Sequence, residues 1–503
     1  MNLRTMLEET VRQYPDKTAI ALGERRLSYT ELDELSNRAA NALIKMGTGK
    51  GDRVAMLMSN SLEFAIIYFG IVKAGAIAVP LDTKYKLTEL AALFNDCQPK
   101  VLVAESVLLG PIVLALPGFK SIGRVIDVGP QYRGNFVSYP ALLDSGSSRP
   151  VDVDIMPEDA AHIAYTSGPT LHPRGVVMSH RSLVSEAAIS ALGFGQTDKD
   201  RVVLFALPMH HAFGLVVILF TSIYKGSTVL MLNGVSIPSL MELIKKEKAT
   251  MFMGVPFIHA LMVNLAEEEG AKYDLSSLRL CGSAGAALPA DIAQKFKEHF
   301  GLGLVDFWGM TEASAHVTCC SLNGKAISGS VGKALPGWEL KIVDEMGREL
   351  PPNQPGEIVV RGPLMSEYYH HPQLTTTVLR QGWLYTGDLG MVDDQGNLFL
   401  TGNKKGMIIA KGQNIYPGDI EEVLYLHPKV AEAAVIGMPD EVRGQTIRAV
   451  IQLKAGEVAS EQEMRRFCLE HLANYKAPKQ VIFINSLPKT AAGEIRKEDL
   501  RRL

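Results

Sequence analysis

Strand-like and helix-like segments alternate through most of this chain, and that alternation limits its fold more than any other feature. The apolar run at 53–58 reads as a buried strand, Ser59 and Asn60 can cap a helix predicted over 62–72, and a second strand at 77–79 is stopped by Pro80. Similar alternation covers 161–232 and 249–305. The pattern predicts an α/β fold with a large N-terminal domain of helix-covered, mostly parallel sheets.

The pattern changes after Lys333, where short strands at 339–344 and 356–362 lie between turn residues. They predict a β-rich subdomain within the large domain. The segment 402–406 is polar and flanked by glycines, and about a hundred residues follow it. We therefore expect one domain at 1–402 and a small, mobile α+β cap domain at 403–503, with the hinge near Lys405.

Composition excludes several classes of protein. The apolar fraction of 47%, the charged fraction of 21% and a net charge of −3 are ordinary for a globular enzyme, and no basic block predicts nucleic-acid binding. The start mixes charges without an apolar core, and the longest apolar runs are too short for an integral membrane segment. The five cysteines have no metal or disulfide spacing. A reduced, cytoplasmic setting is therefore expected.

A hydroxyl- and glycine-containing loop follows the strand predicted at 161–164. The segment 164–180 reads AYTSGPTLHPRGVVMSH. Free backbone N–H groups in such a loop can surround an anion, although most loops of this composition bind nothing. The segment resembles the phosphate loop of the adenylate-forming superfamily, which includes acyl-CoA synthetases, luciferases and peptide-synthetase adenylation domains. The family pattern is YTSGTTGxPKGV followed by Thr/Ser-His.

The match to this loop is incomplete. Residues that keep the pattern and would contact nucleotide are Thr166, Ser167, Gly168 and Thr170, with Arg174 in the place of the lysine. Pro169 replaces a threonine and removes an N–H donor, and Leu171 replaces a glycine that can adopt a positive φ. Arginine keeps the charge of lysine but not its compact shape. These changes predict weaker binding of phosphate.

Two further segments match the resemblance in the family's order. The segment 207–214, LPMHHAFG, is similar to LPxFHxFG, which makes His211 the residue that gates the acyl site. The segment 282–289, GSAGAALP, resembles the adenine loop, whose backbone at Gly285 and Ala286 would line the base pocket. Without these motifs, a packed core histidine and an ordinary small-residue turn would be the simpler interpretations.

The segment 306–312, DFWGMTE, looks like the family's GYGMTE and is a strong motif. The resemblance implies that Trp308 stacks on adenine, with Phe307 beside it among the nucleotide-binding residues. It also implies that Gly309 leaves room for the acyl group, that Thr311 bonds near the α-phosphate, and that Glu312 binds Mg²⁺, a cation that prefers oxygen ligands. In WLYTGD at 383–388, Asp388 would accept hydrogen bonds from the ribose.

The C-terminal hundred residues carry both matches and departures. The segment 411–421 resembles the loop that moves in for thioester formation, which assigns Lys411 and Gly412 to catalysis, with Gly412 along the CoA tunnel. The hinge GNKKG has Asn403 where the family has a ribose-binding arginine, and Gly406 where it has an aspartate. Tyr475-Lys476 continues the family pattern.

The gravest departure is Glu494, which occupies the position of the family's catalytic lysine. That lysine bridges the carboxylate and the α-phosphate during adenylation. A carboxylate there repels the charge that the lysine stabilises, and losing one such contact costs ~10²–10³ in rate. The departures cluster in the part that handles ATP, whereas the residues for nucleotide docking and thioester formation are kept.

Three functions remain open from the sequence. The first is an AMP-forming acyl-CoA synthetase that uses ATP, CoA and Mg²⁺ to join a carboxylic acid to CoA through an acyl-adenylate. The second is a specialised member that carries out only the acyl-AMP/CoA half-reaction or its reverse. The third is a non-catalytic paralogue that binds acyl-CoA or nucleotide. The acid and CoA are the expected partners, and a homodimer is left open.

Overall fold

The computed structural model describes residues 1–130, 135–166, 173–197, 199–232, 234, 236–269, 273–322, 327–403, 406–440, 442–488 and 495–502. The helices of this part of the chain are α1 Leu3–Gln13, α2 Tyr29–Lys45, α3 Leu62–Lys73, α4 Leu87–Cys97, α5 Ser106–Val113, α6 Tyr139–Ser145, α7 His180–Gly193, α8 Thr221–Tyr224, α9 Ile237–Glu247, α10 Pro256–Glu269, α11 Ala290–Phe300, α12 Pro372–Val378, α13 Pro417–Tyr425, α14 Glu461–His471 and α15 Lys497–Leu500. A π-helix, Phe213–Phe220, precedes α8.

The strands, also in chain order, are β1 Thr18–Leu22, β2 Arg25–Ser28, β3 Arg53–Leu57, β4 Ile77–Leu81, β5 Val101–Glu105, β6 Arg124–Val128, β7 Val137–Ser138, β8 Ala160–Thr166, β9 Arg174–Ser179, β10 Val202–Phe205, β11 Thr228–Met231, β12 Met251–Gly254, β13 Leu280–Ser283, β14 Leu304–Trp308, β15 Thr318–Cys319, β16 Lys333–Ala334, β17 Glu339–Val343, β18 Gly356–Arg361, β19 Glu367–Tyr368, β20 Leu379–Arg380, β21 Trp383–Val392, β22 Leu398–Asn403, β23 Ile408–Ala410, β24 Gln413–Ile415, β25 Val430–Asp440, β26 Gly444–Leu453 and β27 Gln480–Phe483.

Two large sheets form the N-terminal part. One has the order β16-β15-β14-β13-β12-β10-β11-β1-β2, and the other has the order β19-β9-β8-β4-β3-β5-β6-β7. Neighbours from β14 to β1 and from β8 to β7 run parallel. The antiparallel pairs are β16-β15, β15-β14 and β1-β2 in the first sheet, and β19-β9 and β9-β8 in the second. Helices such as α3, which is buried except at Glu63, cover them. The predicted helix-covered, mostly parallel sheets are confirmed.

The two remaining sheets follow later in the chain. β17, β18, β21, β20 and β22 form an antiparallel sheet, which is the predicted β-rich subdomain. From 408 onwards β23–β27 pack with α13 and α14 around a separate apolar core. This is the small α+β unit expected from the sequence. The boundary at 402/403 stays a prediction, and the hinge residue Lys405 lies outside the described residues.

Two local predictions near α3 were wrong. The helix is capped by Ser61, whose hydroxyl accepts from the Phe64 N–H, because Asn60 instead bonds the backbone at 207 and 209. The strand β4 continues through Pro80 to Leu81. Its pairing with β8 reaches only Ala78, so the proline interrupts no ladder bond on that side. Within the described residues, no helix is both long and apolar enough to cross a bilayer.

A buried lysine joins α2 to α3. The Lys73 ammonium is fully buried and lies 2.6 Å from Asp33 Oδ1 and 2.8 Å from Asn37 Oδ1. We expect Lys73→Met to lower the free energy of unfolding by about 2 kcal/mol, because Asn37 and Asp33 lose the cation that satisfies them. Urea unfolding checks this.

The matched control is Lys100→Met, which breaks a half-exposed pair with Asp52. It should cost less than ~1 kcal/mol. Equal losses in both variants would contradict the role assigned to Lys73.

Candidate active site

A cavity of about 1200 Å³ lies between the N-terminal sheets and the C-terminal unit. It begins where parallel strands end, because β10, β12, β13 and β14 all present their carboxyl ends to it. Most of the predicted site residues line this one cavity: Thr166, His211, Gly285, Ala286, Phe307, Trp308, Gly309, Thr311, Glu312, Asp388, Lys411 and Gly412.

The other predicted site residues divide into two groups. Arg174 begins β9, pairs with Thr166 across the strands that flank the phosphate loop, and is not among the lining residues. Ser167, Gly168, Thr170 and Glu494, together with the side chain of Asn403, lie outside the described residues. Their assigned roles stay predictions.

The Trp308 indole and the Asp388 carboxylate are in direct contact. Trp308 ends β14 and donates from Nε1 to Asp388 Oδ2 over 3.1 Å. The backbone of Asp388 is held by Thr386, whose hydroxyl accepts from the Asp388 N–H and donates to the Ile358 carbonyl. The bond links the nine-stranded sheet, which contains β14, to the antiparallel sheet that contains β21. The two side chains predicted to bind the two ends of an adenosine therefore form one unit.

Glu312 is buried, and its position is set by a tyrosine that the sequence argument missed. The Tyr368 hydroxyl donates to Glu312 Oε1 over 2.8 Å. Burial, followed by the charge of Glu312, raises the pKa of Tyr368 far above its usual range, so this hydroxyl keeps its proton and remains a donor. No cluster of three His, Cys, Asp or Glu ligands occurs among the described residues. Glu312 therefore lines the cavity with one of its carboxylate oxygens held by Tyr368.

His211 lines the cavity, and its side chain is exposed to the open space inside. Protein surrounds that space. Burial, with a smaller contribution from neighbouring His210, lowers the pKa of His211 to about 3. Its ring centroid is 4.3 Å from that of His210, and its side chain bonds Gln413 of the C-terminal unit. The imidazole is therefore neutral at physiological pH, and its role as the gate of the acyl site stays a prediction. His210 Nε2 in turn lies 3.6 Å from Asp82.

The loop that contains Lys411 and Gly412 reaches across to the N-terminal wall. Lys411 has φ +53°, and its ammonium lies 5.0 Å from the centroid of the Phe257 ring. Gly412 has φ +76°, and a Cβ there would stand 2.7 Å from Val255 Cγ1. On the other side of the contact, the Gly412 carbonyl lies 3.8 Å from the position of a Cβ at Gly285. Only a glycine allows the loop to lie this close to the wall.

The structure supplies a packing reason for Gly309, and its expected role of leaving room for the acyl group stays a prediction. A Cβ at Gly309 would overlap the Ala315 carbonyl oxygen at 1.7 Å. Backbone packing alone therefore demands glycine at this position, whatever group occupies the cavity. The Phe307 ring lines the cavity and packs among Phe194, Phe213 and His316, and its place among the nucleotide-binding residues stays a prediction.

A buried ion pair holds the C-terminal unit against α4. The Lys476 ammonium lies 2.9 Å from Glu89 Oε1 and 3.0 Å from Asp419 Oδ2, and all three side chains are buried. The second Glu89 oxygen accepts from the backbone N–H of Ala473. Burial alone would lower the pKa of Lys476, but the charges of Asp419 and Glu89 raise it above its usual value. The lysine is therefore charged and fully paired.

Comparison with known proteins decides the family. The model of the AMP-binding enzyme family matches residues 7–370, and that of the AMP-binding enzyme C-terminal domain matches residues 419–494. The chain belongs to the AMP-binding enzyme family. The first match alone covers well over half of its length.

Relatives of this AMP-binding enzyme include two CoA ligases. It is 34% identical to the indoleacetate–CoA ligase of Aromatoleum aromaticum, over 100% of this chain and 98% of the relative. It is 32% identical to the long-chain-fatty-acid–CoA ligase of Bacillus subtilis, over 99% and 94% of the two chains. The prediction of an enzyme of the acyl-CoA synthetase type is confirmed.

A solved structure extends the match to three dimensions. A double mutant of o-succinylbenzoate CoA synthetase from Bacillus subtilis, bound with its product analogue OSB-NCoA, is 28% identical and superposes with a TM-score of 0.88. The superposition covers 99% of this chain and 98% of the synthetase. The two proteins therefore share the fold and the placement of the C-terminal unit.

The contact between Gly412 and Val255 can be tested directly. We expect Gly412→Ala to slow thioester formation from acyl-AMP and CoA by about 10–100-fold, because the new methyl overlaps Val255 and the positive φ disfavours a side chain. The affinity for AMP should stay unchanged, since the loop is not the nucleotide platform. Stopped-flow detection of the CoA thiol gives the rate, and calorimetry gives the affinity.

Adding Val255→Ala to this variant should restore part of the rate by making room for the methyl. The control is Gly418→Ala, where a Cβ meets nothing within 4 Å; it should behave as wild type. A Gly412→Ala enzyme of normal rate would refute the close-contact argument.

Proposed function

We propose that this enzyme joins a carboxylic acid to CoA through an acyl-adenylate, and that the domain arrangement described above is the one used for thioester formation. The observation that carries the proposal is the Lys411–Gly412 loop. It lies against Val255 and Gly285 in the same cavity that holds Trp308, Asp388 and Glu312. The side chains assigned to the nucleotide and the loop assigned to thioester formation thus line the same cavity.

The nucleotide would occupy the side of the cavity formed by β13, β14 and β21. The backbone at Gly285 and Ala286 would border the adenine, the Trp308 indole would stack on it, and Asp388 would accept from the ribose hydroxyls. Asp388 already accepts from the indole N–H, which orients the carboxylate before the nucleotide arrives. Thr311 would donate to the α-phosphate.

Glu312 fits a magnesium site of the kind built on a nucleotide. Mg²⁺ is usually held by one or two carboxylates together with phosphate oxygens and water. Glu312 supplies one carboxylate oxygen already fixed by Tyr368. The ion would neutralise phosphate charge during adenylation, while Glu312 and Tyr368 position it.

Cations lie where CoA would enter. Lys84, Arg443 and Lys479 line the cavity, and all three are exposed to solvent. They come from the N-terminal part and from two places in the C-terminal unit. Phosphate groups form strong, charge-assisted hydrogen bonds with such side chains. The phosphates of CoA could therefore anchor here, with the pantetheine arm passing Gly412 toward the acyl carbon.

The chemistry has two steps. A carboxylate oxygen attacks the α-phosphorus of ATP, forming the acyl-phosphate bond as pyrophosphate leaves. The CoA sulfur then attacks the acyl carbon, and AMP leaves as the thiol proton passes to solvent. Neutral His211, bonded to Gln413 of the incoming loop, would stand between the acyl site and the CoA passage.

A second candidate is an enzyme that performs only the thioester step or its reverse. The observation that favours it is the charge at position 494, where glutamate replaces the lysine of the adenylation step. Pro169, Leu171 and Asn403 add further departures on the ATP side. The residues assigned to thioester formation have no comparable change.

Two assays on pure protein distinguish these candidates. The first candidate predicts slow, acid-dependent release of pyrophosphate from ATP and the second predicts none above background, whereas both predict fast consumption of CoA with a synthetic acyl-AMP. Glu494→Lys should raise the first rate by about 10²-fold, because it restores a positive charge at the reacting phosphate. It should leave the second rate unchanged.

The control is Glu457→Lys, an equal change of charge on an exposed turn of the C-terminal unit. It should alter neither rate. If neither substrate pair gives product while AMP still stabilises the protein, the chain is the non-catalytic paralogue and the proposal is wrong.

A further inference from the structure

One wall of the cavity consists of packed aromatic rings. The centroid of the Phe307 ring lies 5.2 Å from that of Phe213, and the two rings are nearly perpendicular, with an interplanar angle of 87°. It lies 4.7 Å from the centroid of the His316 ring and 5.4 Å from that of Phe194. Phe213 and Phe307 line the cavity, whereas Phe194 and His316 are fully buried behind them. The Phe213–Phe307 pair therefore forms the surface that an acyl tail would meet.

The Phe307 ring has no room to retreat. Phe307 lies on β14, and its Cε1 is 3.0 Å from where a Cβ on Gly282 of β13 would stand. On the other side, His316 packs face to face with Phe194 at 4.7 Å. A close-packed interior leaves no free volume into which the ring could move. The Phe307 ring is thus held by β13 on one side and by Phe194 and His316 on the other.

A buried polar network fixes this backing. Ser190 Oγ lies 3.0 Å from His316 Nδ1 and donates to Glu186 Oε1, while the Trp338 indole donates to the other oxygen of Glu186. All of these groups are buried. Moving His316 would break the network, so the wall behind Phe307 is rigid.

The sequence marks the same position. The motif that this segment resembles has a glycine where Phe307 stands, and glycine would leave the volume of the ring open to the cavity. This chain instead has a phenylalanine ring in that volume. Phe213 meets it edge to face, which is a favourable aromatic geometry.

We propose that Phe307 closes the acyl pocket and restricts the enzyme to compact apolar acids, of single-ring or short-chain size, against long alkyl chains. This inference rests on the proposed function, since it deepens the acyl side of the same site. Phe307 acts by touching the substrate tail and determines which acid is accepted, not how the bond forms.

The test is a ladder of non-hydrolysable acyl-sulfamoyl adenosines carrying butanoyl, benzoyl and dodecanoyl groups, measured by calorimetry on the full chain. Wild type should bind the first two at least tenfold more tightly than the third. Phe307→Ala should bind the dodecanoyl compound at least tenfold more tightly than wild type does, because each newly buried CH₂ contributes about fourfold. Phe307→Val, a milder change, should shift the preference in the same direction.

The control is Phe296→Val, which removes a fully buried ring from a separate cluster with His259 and Phe300 that does not line the cavity. It should lower thermal stability but leave the order of the ladder unchanged. Wild type binding all three equally, or folded Phe307→Val and Phe307→Ala proteins keeping the wild-type order, would overturn the inference alone. Binding of no ladder member by any variant would overturn the proposed function as well.

Discussion

The geometry of the site depends on one buried charge, the ammonium of Lys476. It lies between Glu89 of the N-terminal part and Asp419 of the C-terminal unit, within 3.0 Å of each. A charge removed from water in this way is stable only when its partners are in place. The ion pair therefore favours the docked arrangement, in which the Lys411–Gly412 loop reaches Val255. In any other arrangement of the two units, Glu89 would lose Lys476 and the Ala473 N–H and would need water or other partners, whereas Lys476 and Asp419 belong to the same unit.

Docking builds a cavity that neither unit contains alone. The N-terminal sheets contribute strand ends with their indole and carboxylates, and the C-terminal unit contributes a glycine loop and cations. Close backbone approaches shape the space between them. Where the two units meet, Gly412 against Val255 leaves no room for a methyl group. The Lys476 ion pair thus holds the two units together, while the missing side chain at Gly412 lets its loop lie against Val255.

The sequence predicted the fold class and most of the cavity because both have local signals. Alternating apolar segments indicated parallel sheets, and the motifs that contain Trp308, Glu312 and Asp388 do converge on one cavity. The contacts between these motifs carried no such signal. Glu89 and Lys476 are 387 positions apart, and nothing in either segment marks the other as its partner. Tyr368 was missed for the same reason.

Some errors came from competition between local and tertiary bonds. Asn60 is a good capping residue by type, but two backbone groups after β10 take its side chain, and the cap moves to Ser61. Nothing in its motif indicated that Gly309 packs against the Ala315 carbonyl, since only the folded backbone places that carbonyl beside it. The same holds for Phe307, whose ring belongs to the aromatic wall.

The most direct test of this account is the single-turnover rate at which Glu89→Gln converts a bound acyl-AMP and CoA to acyl-CoA. The substitution keeps the shape of the side chain and removes the charge that holds Lys476. The account predicts a rate at least about tenfold below wild type, with an unchanged affinity for the acyl-AMP, because only domain docking is weakened. A wild-type rate in Glu89→Gln would contradict it.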